Sequence, residues 1–548
     1  MSEVYRRLAE ALPAGGRSEL PFSADARRAA AWVQGLPRTD VPATRRALLQ
    51  ALDALASSSA LKGASRREIA EVLRPIVLDV AVSTRHAYAG KPLPLAGDLG
   101  TLPSELAQLH LRLAHAYRRA AADACSPSGS LPWLRSGPVG DALQRAAFHY
   151  VEAMRVAWQS YASLPVNAWR GLHRTCHFAI ARELERRPSS DTLVPGLPNL
   201  QQRYLQVLLM SVLDPRSFSQ AEQAQLWSLA EAFAGQSPLR DQPTATAVGV
   251  ADDADEGPGG KAPARHWLDL VALATAVETA LRGEAEKAVV VPDRGPGVEL
   301  SMDALGKVRR AFSQAAARQF LRLDGGHAVD TVFGLSGLHY ISSGERDFDA
   351  FARQVLGADV VEPARAAWAA GGDEHAVRAM RVPAIAIDQS LGGYRVRWSP
   401  DAALRLRVGE VVGLRPAGGD DEGDWMIGML RWLRHEPEGT VLAGVELLSR
   451  SVAAVAMAGR TAELKAPLRV LELRPLAGDD WLYLSPQRLP QGETLALGRE
   501  AEPVERLLDR RPEGALSELR LLQRCGDYFL YRHPPMEAPV PVPAQKRA

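Results

Sequence analysis

Asp388-Gln389-Ser390-Leu391-Gly392-Gly393-Tyr394-Arg395-Val396-Arg397-Trp398 reads as the end of one strand, a glycine turn and the start of the next. Along its second half Tyr394, Val396 and Trp398 fall on one face and Arg395 and Arg397 on the other, the period-two alternation of a half-buried strand. Further β-rich runs flank it: residues 328–335, 382–388, 408–414, 425–433 and 441–448, most of them separated by glycine or charged turns. No long helical pattern follows Val382, so the succession predicts an antiparallel barrel or sandwich. More strands are expected at 468–473, 481–485 and 516–522.

Asp388-x-Ser390-x-x-Gly393 resembles the Asp/Asn-x-Ser-x-x-Gly signature of PilZ domains, six-stranded barrels that bind cyclic di-GMP in bacteria. Val408–Leu414, Ile427–Trp432 and Ala443–Leu448 are similar to the later strands of that family, so the resemblance covers roughly residues 380–450. Its ligand, cyclic di-GMP, presents two phosphates and two guanines. The resemblance implies a short acceptor for the guanine N1 and N2 donors, Asp388, with Ser390, Gly392 and Gly393 letting the ring approach the backbone. It also implies an Arg-x-x-x-Arg pair for bidentate contacts ahead of the first strand. Arg378 and Arg381 are spaced by three and leave no room for a strand before Asp388. Arg318-Gln-Phe-Leu-Arg322 has the spacing, and makes residues 336–380 an insertion between the first two strands.

The residues leave other readings open. Asp388 and Ser390 also suit a β-turn that caps its own backbone, and Arg318 and Arg322 suit a solvated helix face. Only seven of the 65 basic residues are Lys, leaving 58 Arg, so about six Arg-x-x-x-Arg pairs are expected by chance.

Residues 1–235 read as a helical bundle or repeat-like domain. Leu143, Ala147, Tyr150, Met154, Ala157 and Tyr161 recur at helical spacing, and Ser65-x-x-Glu68 and Ser219-x-x-Glu222 have the form of capping boxes. Residues 236–264 hold Asp252-Asp253-Ala254-Asp255-Glu256 and few large apolar side chains, which predicts a disordered linker. Gly257-Pro-Gly-Gly-Lys261 is followed by Ala262 and is not a phosphate loop. The remainder divides into a helical segment at 265–324, a barrel at 325–460 with a helical insertion, a small β-rich subdomain at 461–532 and a disordered tail at 533–548.

Weaker constellations are also present. His173-x-x-Cys176-His177 puts two imidazoles one turn apart, but no other Cys/His cluster completes a shell locally, so helix packing is the expectation. Gly334-Leu-Ser336-Gly337 is a turn rather than a nucleophile elbow, and Trp158, Trp169 and Trp227 belong to a core.

At 548 residues the chain is too long for one domain, and 46% hydrophobic against 24% charged residues permits sizeable cores. A net charge of +1 argues against a dedicated nucleic-acid binder. No apolar run reaches 18 residues, and no apolar stretch follows the N-terminal charges, so neither membrane insertion nor secretion is expected. Three scattered cysteines fit a reducing cytoplasm. The expectation is an α+β multidomain cytoplasmic protein, not an enzyme and without cofactor or metal. It would sense cyclic di-GMP at the barrel and engage a protein partner through the helical half; the alternative is a scaffold whose barrel no longer binds nucleotide.

Overall fold

The computed structural model describes the chain outside residues 1, 11–18, 92, 96, 132–135, 195–197, 284–285, 315–322, 358–380, 401, 403, 405, 419–424, 437, 460–465, 477, 479, 491, 501–514, 526–527 and 535–548. It forms two compact units: residues 1–318 with 434–439, and residues 319–433 with 440–548. Among the described residues no helix is long and apolar enough to cross a membrane.

The first unit opens with helices α1 (Glu3–Ala9), α2 (Ala26–Gln34), α3 (Val41–Ser57), α4 (Gly63–Tyr88), α5 (Leu102–Ala124) and α6 (Ser136–Gln159). It continues with α7 (Ala168–Ala181), α8 (Leu200–Val212) and α9 (Gln220–Ala234). The periodic face of α6 is the buried one: Leu143, Ala147, Tyr150, Met154 and Ala157 are all 2% exposed or less. The capping box at α9 forms as expected, with Glu222 N–H donating to Ser219 Oγ and Ser219 N–H to Glu222 Oε2. Ser65-x-x-Glu68 does not cap; it lies inside α4, which starts at Gly63, where a Cβ would stand 2.7 Å from the Ala120 carbonyl. Buried arginines satisfy backbone carbonyls in this core. Arg118 donates to the carbonyls of Leu8 at 2.9 Å and Arg7 at 3.2 Å, the orphan acceptors at the end of α1.

Residues 236–264 are not a linker. They supply β1 (Leu239–Arg240) and β2 (Val248–Val250), which pair on either side of β3 (His266–Leu268) in a three-stranded antiparallel sheet. Val248, Val250, Ala251 and Leu268 are buried. The acidic run finds partners inside the unit. Asp255 accepts the amides of Asn167 at 2.5 Å and Arg170 at 3.1 Å, capping α7, whose own N-cap Asn167 is left-handed and makes no side-chain cap. Glu256 Oε2 accepts from Lys261 N and Ala262 N, so a carboxylate of the chain fills the turn that superficially resembled a phosphate loop.

Residues beyond 264 also depart from a helical lead-in. Alongside α10 (Val271–Ala280) and α11 (Met302–Gln314) runs a hairpin of β4 (Lys287–Val290) and β5 (Val298–Ser301). Leu273, Val277, Val290, Leu300, Leu305 and Val308 join the core of the helical unit. These side chains are stabilised by burial against α-helices rather than against the barrel.

The second unit contains β6 (Leu323–Phe333), β7 (Val382–Ser390), β8 (Gly393–Trp398), β9 (Val411–Pro416), β10 (Met426–His435) and β11 (Val441–Ala458). They hydrogen-bond in the order β10-β9-β6-β7-β8-β11, and β10 also pairs with β11, closing a six-stranded antiparallel barrel. Val396 and Trp398 are fully buried while Arg397 is exposed, as the alternation requires. Trp398 Nε1 donates to Thr331 Oγ1 at 3.0 Å and Thr331 to the Val382 carbonyl at 2.6 Å, so both polar groups inside the barrel are satisfied.

The insertion between β6 and β7 starts with α12 (Leu335–Ser342) and α13 (Phe348–Leu356). The later strands are β12 (Leu468–Pro475), β13 (Trp481–Ser485), β14 (Leu495–Gly498), β15 (Ala515–Leu516), β16 (Arg520–Cys525) and β17 (Tyr528–His533). They do not form a separate subdomain. Strand β11 is 18 residues long; its first half closes the barrel and its second pairs with β12 and β14, so one sheet runs on through β13, β17 and β16. Phe348 and Phe351 of α13 pack on Ala454 and Ala456 of that second half. The tail beyond Pro534 lies outside the described residues.

Candidate functional site

The motif sits on the β7–β8 hairpin. Ser390 pairs with Gly393, Gln389 with Tyr394 and Asp388 with Arg395, leaving Leu391 and Gly392 as a two-residue turn. Gly393 is required by packing: a Cβ there would stand 2.0 Å from the Val445 carbonyl on β11. The Gly392 carbonyl accepts from Leu447 N at 2.9 Å, tying the turn to the same strand. Asp388, Ser390, Gly392 and Gly393 are therefore brought together. Leu391 at the tip is 69% exposed.

Asp388 is 6% exposed, and its Oδ2 stands 2.9 Å from Arg395 Nη2. Arg395 is the functional candidate that the sequence reading missed. Its signal was present, since a two-residue turn at Leu391–Gly392 puts residues 388 and 395 directly opposite. The Arg395 side chain is 39% exposed while that of Asp388 is 9% exposed, so the guanidinium, not the carboxylate, is the solvent-facing member of the pair. Ser390 Oγ donates to the Gly393 carbonyl at 3.3 Å, the local cap that a turn of this type favours.

Arg318 and Arg322 lie outside the described residues. Leu323, the first residue of β6, pairs with Gln389, and Asp324 pairs with Asp388. The Gly325-Gly326 bulge makes this possible: a Cβ at Gly325 would meet the Ala386 carbonyl at 2.4 Å, and Gly326 has φ +110°. Strand β6 thus begins beside the motif.

The remaining sequence candidates are structural. His173 contacts the Tyr204 hydroxyl through Nδ1 at 2.6 Å and the Glu256 carbonyl through Nε2 at 2.9 Å. Burial pulls its pKa down to about 4, so it is neutral near pH 7. Cys176, Trp158, Trp169 and Trp227 are buried, and Gly334 with φ +79° precedes α12 as its N-cap.

A closed six-stranded barrel carrying Asp-x-Ser-x-x-Gly on its β7–β8 hairpin is the architecture of a PilZ domain, and this chain contains one. Residues 261–382 and 365–453 match the family model described as the middle PilZ domain of the cyclic-di-GMP receptor FimW. Residues 27–244 match the model of the N-terminal domain of the same receptor. The chain is similar to the cyclic-di-GMP receptor FimW of Pseudomonas aeruginosa, at 24% identity, over 94% of this chain and 92% of that protein. No solved structure matches.

Proposed function

We propose that this chain is a cytoplasmic cyclic di-GMP receptor, a binding protein rather than an enzyme, whose helical half relays the bound state to a protein partner. The observation that carries the reading is the β7–β8 hairpin, where a carboxylate, a hydroxyl and a glycine turn come together on neighbouring strands of a PilZ barrel. Asp388 accepts from guanine N1 and N2, Gly392 and Gly393 let the ring approach the backbone, and Ser390 turns its hydroxyl from the Gly393 carbonyl to the ligand. Arg318 and Arg322, just ahead of β6, supply bidentate contacts to phosphate and guanine O6/N7. The likeness to a protein named as a cyclic di-GMP receptor supports this assignment.

The test is calorimetric titration of the full chain with cyclic di-GMP. Arg322→Ala removes charge-assisted contacts and is expected to weaken binding about ten- to a hundredfold, an effect that shrinks at high salt. Asp388→Ala is expected to relax selectivity against cyclic di-AMP, whose adenine has no N1–H or N2 donor. Arg309→Ala, outside the motif, is the control. A second reading, a scaffold that no longer binds nucleotide, is favoured by the long separation of Arg322 from Asp388, which accommodates α12 and α13. Absence of binding at tens of micromolar ligand would establish it.

A further inference from the structure

We propose a divalent transition-metal site in the helical unit, formed by His177 of α7, Asp252 just after β2 and His266 of β3. One ligand atom from each side chain lies within 4.8 Å of the other two. His177 Nδ1 and Asp252 Oδ2 are 3.0 Å apart. The edge of a tetrahedral zinc site, with bonds of roughly 2.0–2.1 Å, is about 3.3 Å, so small side-chain adjustments complete this edge. Two imidazoles and one carboxylate are a ligand set suited to Zn²⁺ and its neighbours rather than to Ca²⁺ or Mg²⁺.

Three observations go beyond proximity. Asp252 is 6% exposed, yet its Oδ1 accepts no hydrogen bond; its nearest charge there is Arg265 Nε at 3.5 Å. A buried carboxylate oxygen left without a donor is costly, and a cation beside it removes that cost. Secondly, Asp241 Oδ1 stands 3.4 Å from His266 Nδ1, near enough to move into the carboxylate hydrogen bond that metal-bound histidines make on the nitrogen not facing the metal. Asp241 is 94% exposed and does not by itself fix the ring, so Nε2 of His266 is available to turn inward. Thirdly, His177 and Asp252 line a cavity of about 160 Å³ together with Glu3, Arg7, Arg174 and Arg265, which leaves room beside these two ligands for a water or a small anion.

The local charge permits a dication. Arg7 is engaged by Glu3 at 2.9 Å, Asp253 at 3.6 Å and Asp252 at 4.0 Å, Arg174 by Glu10 at 3.6 Å, and Arg265 by Asp252 at 3.5 Å and by Asp253 at 3.9 Å. Arg6 also pairs with Glu3 and Glu10, so five carboxylates, counting Asp241, face four guanidinium groups around the two imidazoles. Neighbouring His173 is excluded as a ligand, because both ring nitrogens already have partners. The metal would clip the three-stranded sheet to α7, fastening the segment that composition alone marks as a linker.

The experiment uses the full chain without an affinity tag, stripped with a chelator and titrated with Zn²⁺ by calorimetry and with Co²⁺ by absorption. One equivalent of Zn²⁺ is expected to bind, with cobalt ligand-field bands of a four-coordinate site. His266→Ala, at a half-exposed position, should weaken binding at least about tenfold, while exposed His86→Ala should not. No stoichiometric binding, or His266→Ala binding as tightly as wild type, overturns the proposal. X-ray absorption of the zinc-loaded wild type gives an answer independent of variant folding: a nitrogen/oxygen shell with two imidazoles supports the site, and a sulfur-containing or imidazole-free shell overturns it.

Discussion

Two arginine–aspartate pairs, one in each unit, show the same chemistry in two different environments. Arg74 and Asp191 in the helical unit have side-chain exposures of 0% and 2%. Arg74 grips both carboxylate oxygens and also contacts His149 Nε2 at 3.3 Å, and Asp191 Oδ1 accepts the amides of Leu193 and Val194. Every partner is internal, so the pair fastens the 191–194 segment to α4. Arg395 and Asp388 in the barrel meet at 2.9 Å with exposures of 39% and 9%, beside an exposed turn. The first pair is sealed on both sides, whereas in the second the carboxylate is buried and the guanidinium reaches water.

Acid separates the two units most strongly. Burial lowers the histidine pKa to about 4 at His110 and His173, about 3 at His115 and well below the usual value at His149. The unfolded chain therefore binds more protons than the folded one between about pH 6.5 and pH 4, and stability falls as pH drops through that window. Each such histidine removes on the order of 2 kcal/mol at pH 5. Among the described residues, 319–433 with 440–548 hold one comparable group, His339, also lowered to about 4 by burial, while His435, at the end of β10 but grouped with the helical unit, is lowered to about 4 as well. Hydrogen exchange across a pH series should show the helices losing protection first; simultaneous loss in both units would break the contrast.

The next largest effect is expected from Asp191→Ala. Removing one partner of a sealed pair strands the Arg74 guanidinium and should cost about 3–5 kcal/mol. Denaturant unfolding followed by circular dichroism measures it, and a cost below about 1 kcal/mol would mean that water reaches the pair. For Asp388→Ala the proposed role predicts the reverse profile. Cyclic di-GMP affinity should fall about ten- to a hundredfold, while the stability cost stays below that of Asp191→Ala because the Arg395 side chain, 39% exposed, is rehydrated in part. The smallest effect concerns Glu446, which pairs with Arg431 on the barrel surface and is half exposed. Glu446→Ala should move stability by less than about 1 kcal/mol, a shift that shrinks further in high salt.

Strands β7 and β8 were legible because alternation is a property of adjacent residues, and Trp398 and Arg397 declare their faces without any partner. The same local logic gave the capping box of α9. It failed for residues 236–264, where Asp252 and Asp255 looked solvated because their partners, His177 and Asn167, stand more than 70 residues away. It also divided β11 from the strands β12 to β17, since nothing local shows that one strand serves a closed barrel with its first half and an open sheet with its second.

By itself, then, the sequence determined the periodicities, the glycine turn at Leu391–Gly392 and the identity of the carboxylate and hydroxyl flanking it, all set by backbone sterics and side-chain type within a few residues. Tertiary structure decided which charges are sealed and which stay open. It opposed Arg395 to Asp388 through hairpin register, and it drew His177, Asp252 and His266 together from separate elements. Burial and long-range pairing set those outcomes, because the free energy of a charge depends on what surrounds it in space.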